Sequence, residues 1–147
     1  MNAAAVPAPR LPSRGFRIAL IGNLVWINAS EIWRYLAVVR PMIQAIFPGQ
    51  PDKAPFTLPI FASWTLWDTW LILAATGFYW LYLSWAGRTV AQALAAASFL
   101  TITIFGLIWL GVFNMGLLPP DFIWTAVPLA WAEQAIAALI VRWAMGR

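Results

Sequence analysis

Apolar residues fall in four long runs along the chain, separated by short polar breaks rich in Gly and Pro. The runs extend from about Phe16 to Val39, Thr57 to Leu83, Val90 to Leu117 and Phe122 to Trp143. Each reaches the roughly 20 helical residues that a bilayer core requires. The pattern predicts an all-α integral membrane protein: one domain over residues 1–147, built as an antiparallel bundle of four transmembrane helices.

The breaks refine this picture. "AGRT" and "LLPPD" are tight links that force antiparallel neighbours, with Gly87 suited to a helix C-cap and Asp121 to an N-cap. The first link, "RPMIQAIFPGQPDKAPFTLP", is longer. Pro41 is expected to kink the first helix and let "MIQAIF" run on as a short interfacial helix, unless the whole segment is a Pro-rich loop. Pro48-Gly49 and Pro51-Asp52 mark turns. Arg10, Arg14 and Arg17 before "IALIGNLVWI" imitate a signal peptide, but Ile27 fits a cleavage position poorly, so a retained helix is expected. There is no convincing internal repeat.

Composition turns the pattern into a statement about solvent. The chain has 147 residues, 63% hydrophobic and 10% charged, with mean hydropathy +0.77. Soluble domains are about 45–50% apolar and about 25% charged, so a soluble fold of this size could not hide so much apolar surface. The formal charge of +4 is small and dispersed, which argues against a nucleic-acid partner and for basic helix flanks. With no Cys and no His, disulfides, thiolate catalysis, Cys/His zinc sites and His-ligated haem are excluded, and no metal or cofactor is expected. Any proton chemistry falls to carboxylates.

Basic residues set the expected orientation. Arg10, Arg14, Arg17, Arg88, Arg142 and Arg147 lie on one side, Arg40 and Lys53 on the other. This asymmetry places both termini in the cytoplasm of a bacterial inner membrane, with Trp85 and Trp143 in the inner aromatic belt and Trp124 in the outer one.

The polar residues inside the runs carry the candidate chemistry. In "WINASEIWRYLAVVR", Glu31 and Arg34 stand three apart, and Asn28, Glu31 and Tyr35 share a stripe with Arg34 on its shoulder. In the second run Trp64 and Asp68 lie one turn apart. In the fourth, Ala126, Ala130 and Ala137 share a stripe with Glu133, and such small residues turn it into the bundle. The third run adds Thr101, Thr103, Gly106 and, near its outer end, Asn114. At 1.5 Å rise per residue, Glu31, Asp68 and Glu133 fall within roughly 5 Å of the midplane and Arg34 roughly 9 Å outward. Each unpaired central charge costs about 2.5–3.5 kcal/mol, so four would cost on the order of 10–14 kcal/mol. A shared buried network is therefore expected, with Arg34 pairing at least one of Glu31, Asp68 and Glu133, and at least one remaining carboxyl protonated. Trp67 and Trp70 are expected to serve bulk packing and lipid contact. Trp64 beside Asp68 could wall a pocket or hold a cation by cation–π contact, and Pro128 either opens a cavity beside Glu133 or is a tolerated membrane proline.

Three functional classes fit. One is a transport or binding protein for a small solute or lipid, expected to be oligomeric, using Glu31, Arg34, Asp68 and Glu133 with Asn28, Tyr35, Trp64 and Asn114. Another is an accessory or assembly subunit of a larger membrane complex. The third is a membrane-embedded acid–base enzyme acting on a lipid or isoprenoid, though no nucleophile–base pair or phosphate loop marks one. Polar contacts between membrane helices average only about 0.6 kcal/mol, which makes four ionisable groups excessive as structural glue and favours the first class.

Overall fold

The computed structural model describes residues 13–49 and 57–147. Arg10, Gln50, Pro51-Asp52 and Lys53, each of which bears on the topology or the first link, lie outside them.

Among the described residues the chain forms four helical rods and no strand. The first rod starts at α1 (Arg14–Arg34), where the Ser13 hydroxyl accepts from the Phe16 backbone N–H at 3.2 Å. It passes through a π-turn (Tyr35–Val39) into α2 (Arg40–Ile46). The cause of the π-turn is in the sequence. Pro41 has no N–H, and its ring would collide with the carbonyl four residues back in a regular helix. The Arg40 N–H reaches back five residues to the Tyr35 carbonyl, which widens the turn just ahead of the proline. The expected continuation after Pro41 is thus helical, with the irregularity before the proline rather than at it. No residue of α2 is buried.

The second rod is α3 (Leu58–Ala86). It ends at Gly87, whose φ of 102° is open to glycine and strained for other residues. The third rod opens at the Thr89 N-cap, which accepts from the Gln92 N–H at 3.1 Å. It runs through α4 (Val90–Leu100), a second π-turn (Thr101–Gly106) and α5 (Leu107–Asn114). The fourth is α6 (Pro120–Ala144). Its N-cap is Pro119 rather than Asp121, which sits in the first turn where its charge suits the positive helix end. The helix continues through Pro128 without a break.

Among the described residues, three stretches are long and apolar enough to cross a membrane: Leu58–Ala86, Val90–Asn114 and Pro120–Ala144. The first rod, which carries Glu31 and Arg34, is not among them. The aromatic side chains assigned to interfacial belts, Trp85, Trp124 and Trp143, are all exposed.

Packing is uneven along the bundle. In hydrocarbon, helices associate through close van der Waals contact, which requires small residues at their seams. The half nearer the termini has them. A Cβ on Gly15 would lie 2.6 Å from the Ala144 carbonyl oxygen, and one on Gly22 would lie 2.8 Å from Ile140 Cγ2, so glycine is what lets α1 meet α6. Ala93, Ala96 and Ala97 of α4 and Ala137 and Ala138 of α6 are fully buried in the main core, together with Ile27, Tyr79 and Leu83. A second, smaller cluster joins Leu71, Phe105 and Ala130. Neither α2 nor α5 buries any residue. The half of the bundle away from the termini is loosely filled.

Candidate functional site

In that loose half lies a partly open cavity of about 270 Å³, walled by the end of the first rod, the start of α3, the second π-turn with α5, and Ala126 of α6. Both π-turns contribute to it: Tyr35 and Val39 from the first, Phe105 from the second. A π-turn adds one residue to a helical turn and re-aims the side chains beyond it, and such turns are frequent at functional sites.

Among the described residues, three charged side chains line the cavity: Glu31, Arg34 and Asp68. Arg34 forms an ion pair with Glu31 one turn earlier on its own helix. Its guanidinium also lies over the Phe105 ring, 5.8 Å from the centroid. Asp68 stands in electrostatic range of both Glu31 and Arg34. It makes neither a hydrogen bond nor an ion pair with any described residue. Around these charges stand the rings of Tyr35, Trp64, Trp67, Phe105 and Trp109. Tyr35 meets Trp64 edge to face, with centroids 4.3 Å apart and planes at 90°.

Glu133 belongs to a different arm. It is buried, as its Ala stripe implies, with Ala126, Ala130 and Ala137 buried beside it. One carboxylate oxygen accepts from the Ser30 hydroxyl at 2.7 Å and the other from the Gln134 amide at 3.1 Å. Gln134 in turn accepts from the Tyr79 hydroxyl at 2.8 Å, and the Trp26 indole donates to the Glu133 carbonyl at 3.0 Å. A further buried contact, Asn23 Nδ2 to Thr76 Oγ1 at 2.9 Å, ties α1 to α3 in the dense half. Glu133 also faces a separate hollow of about 280 Å³ between α1 and α6. Glu31 and Arg34 are in electrostatic range of both Glu133 and Asp68, but the four ionisable groups do not form one hydrogen-bonded cluster.

The chain matches no protein-family model, no curated protein and no solved structure. The functional reading therefore rests on geometry.

Of the residues expected at a site, Glu31, Arg34, Tyr35, Trp64 and Asp68 meet at one cavity, and Glu133 is seated beside it. Asn28 and Asn114 do not join them. The Asn28 amide donates to the Leu24 carbonyl of its own helix at 2.7 Å, and Asn114 is exposed at the end of α5. Trp67 and Trp70 are both exposed, as expected of rings that meet lipid, and Trp67 in addition edges the cavity. Val39, Phe105, Ile108 and Trp109 were invisible as site residues, since they look like ordinary apolar membrane positions and a π-turn decides where they point. The Tyr79–Gln134 contact was also missed. Gln134, directly after Glu133 in an Ala-rich run, was the available signal.

Proposed function

We propose that this chain is a multi-pass membrane protein that binds a small solute or lipid headgroup in the cavity at Glu31, Arg34 and Asp68 and carries it across the membrane, with carboxylates handling protons. The observation that supports this is the placement of unequal charges in a hollow: among the described residues, one guanidinium and two carboxylates face a cavity walled by aromatic rings. Intramembrane ionisable groups are too costly to be retained as filler.

The basic asymmetry supports a bacterial inner-membrane protein with both termini in the cytoplasm. In that orientation the cavity lies in the outer half and faces the periplasm. Glu133, buried and hydrogen-bonded through Gln134 to Tyr79, then stands between the cavity and the dense inner half. That is the position of a proton-exchanging group in a carrier. Four rods make a thin wall around a pathway, so the working unit is a homo-oligomer or part of a larger complex.

The natural absence of cysteine makes the test direct. A single cysteine in place of Ala126, on the cavity wall, should react in intact spheroplasts with a membrane-impermeant thiosulfonate. In proteoliposomes loaded with a pH-sensitive dye, a transported solute should shift the internal pH, and Asp68→Asn or Glu133→Gln should abolish the shift. If only lipid-soluble reagents modify position 126 and no solute class moves protons, the carrier reading fails. The accessory-subunit reading then takes its place.

A further inference from the structure

The cavity's charge balance and lining narrow the ligand, given that the hollow is a solute site at all. Arg34 is matched by Glu31 on its own helix. Asp68 faces the same space with no hydrogen bond or ion pair to any described residue. Among the described residues, two carboxylates against one guanidinium leave the ionised cavity one negative charge in excess, and Glu133 nearby adds no positive group. An apolar, low-dielectric site with an unmatched carboxylate favours a ligand that brings one positive charge.

The rest of the lining says which kind of cation. A hard divalent metal takes several oxygen ligands at short range, and the wall offers Asp68 and a Glu31 already paired with Arg34, beside aromatic rings, not a cage of oxygens. Aromatic rings hold soft, weakly hydrated organic cations through their quadrupoles, with tryptophan the strongest. Trp64 and Trp109 supply two such rings, with Tyr35 and Phe105 beside them and the largely exposed Trp67 at the edge. The cavity already holds one cation in this manner, since the Arg34 guanidinium lies over Phe105. At about 270 Å³ the space exceeds the roughly 150 Å³ that accepts a benzene molecule and suits a compact ammonium head.

We infer that the cavity binds a monovalent organic ammonium ion, with its positive nitrogen between the Asp68 carboxylate and the surrounding rings, Trp64 and Trp109 among them. A free solute and a lipid headgroup can both carry such an ammonium. The recognition chemistry is the same, and only the means of delivery differs.

Purified protein in detergent should bind choline saturably, read by isothermal titration and by quenching of tryptophan fluorescence. Its uncharged carbon isostere, 3,3-dimethylbutan-1-ol, should bind at least about tenfold more weakly, because it has the shape without the charge. Asp68→Asn and Trp64→Leu should each weaken choline by about tenfold or more, whereas Trp70→Leu, on the exposed face of α3, should leave it unchanged. Competition between choline and short-chain phosphatidylcholine separates the two sources: a headgroup site prefers the lipid, a solute site prefers choline. Equal binding of the isostere by the unaltered protein overturns the ammonium assignment without requiring any variant to fold. So does the absence of saturable choline binding. If position 126 is still reached by impermeant reagents in that case, the solute-cavity reading stands and only the cation assignment falls.

Discussion

Replacing Arg34 by alanine removes the cation that, among the described residues, faces the cavity carboxylates. The ion pair with Glu31 is mostly out of solvent, the two side chains being 11% and 20% exposed. Removing one partner of a buried pair costs about 3–5 kcal/mol, because the other charge is left without compensation. Partial exposure of Glu31 points to the lower end, and loss of the contact with Phe105 adds roughly 0.5–1 kcal/mol. A total near 3–4 kcal/mol is a large share of the 5–15 kcal/mol that holds a typical domain together. At roughly 3 °C per kcal/mol for a chain of this size, the thermal midpoint should fall by about 10 °C. The assay is thermal unfolding in detergent followed by intrinsic fluorescence, with the monodisperse yield from size exclusion as a second readout. Arg34→Ala combined with Glu31→Gln should recover a good part of the loss, since the stranded charge is gone. Arg34→Ala combined with Glu133→Gln should recover less, because Glu133 already has donors on both oxygens. A single variant as stable as the parent, or a double variant no better than the single one, refutes the pairing as an energetic unit.

Other parts of the fold make their own demands. Gly15→Ala should destabilise clearly, its new Cβ being driven against the Ala144 carbonyl, whereas Gly77→Ala, with open space around it, should be neutral or stabilising by up to about 1 kcal/mol; thermal midpoints of the two side by side decide it. Tyr79→Phe should cost about 1–3 kcal/mol by stranding the buried Gln134 oxygen, and equal stability of parent and variant would show that this contact is not formed. A cysteine in place of exposed Met115 should be labelled from outside intact cells by an impermeant maleimide; labelling only after permeabilisation reverses the proposed topology. Asn28→Ala, whose side chain bonds only within its own helix turn, should leave choline binding and folded yield unchanged, in contrast to Asp68→Asn.

The demands of hydrocarbon make much of this protein legible in its residues alone. A segment without water must satisfy its backbone internally, so runs of about 20 or more apolar residues become helices whatever their neighbours. The runs therefore mark the rods to within a few residues, except that the first rod continues past Pro41 to Ile46. Contacts within one helix were legible for the same reason. Glu31 and Arg34 stand one turn apart, Trp64 and Asp68 likewise, and the Ala stripe places Glu133 inward, because a 3.6-residue period fixes these relations locally.

Azimuth beyond an irregular turn, and the choice of which rods meet, came from tertiary packing. Each π-turn inserts an extra residue and so rotates the downstream helix by about 100° relative to a regular one. That rotation falls ahead of Ile108, Trp109 and Asn114, so a period counted from Thr101 could not tell which of them would reach the cavity. Depth alone grouped Glu133 with Glu31, Arg34 and Asp68. The close approach of α1 and α6, made possible by Gly15 and Gly22, instead gives Glu133 the Ser30 hydroxyl beside its own sequence neighbour Gln134, and leaves Asp68 facing the rings without a partner among the described residues. Rise per residue converts sequence position into depth and the helical period finds a partner one turn away, as for Glu31 and Arg34, but a partner on another rod, such as Ser30 for Glu133, is set only by packing.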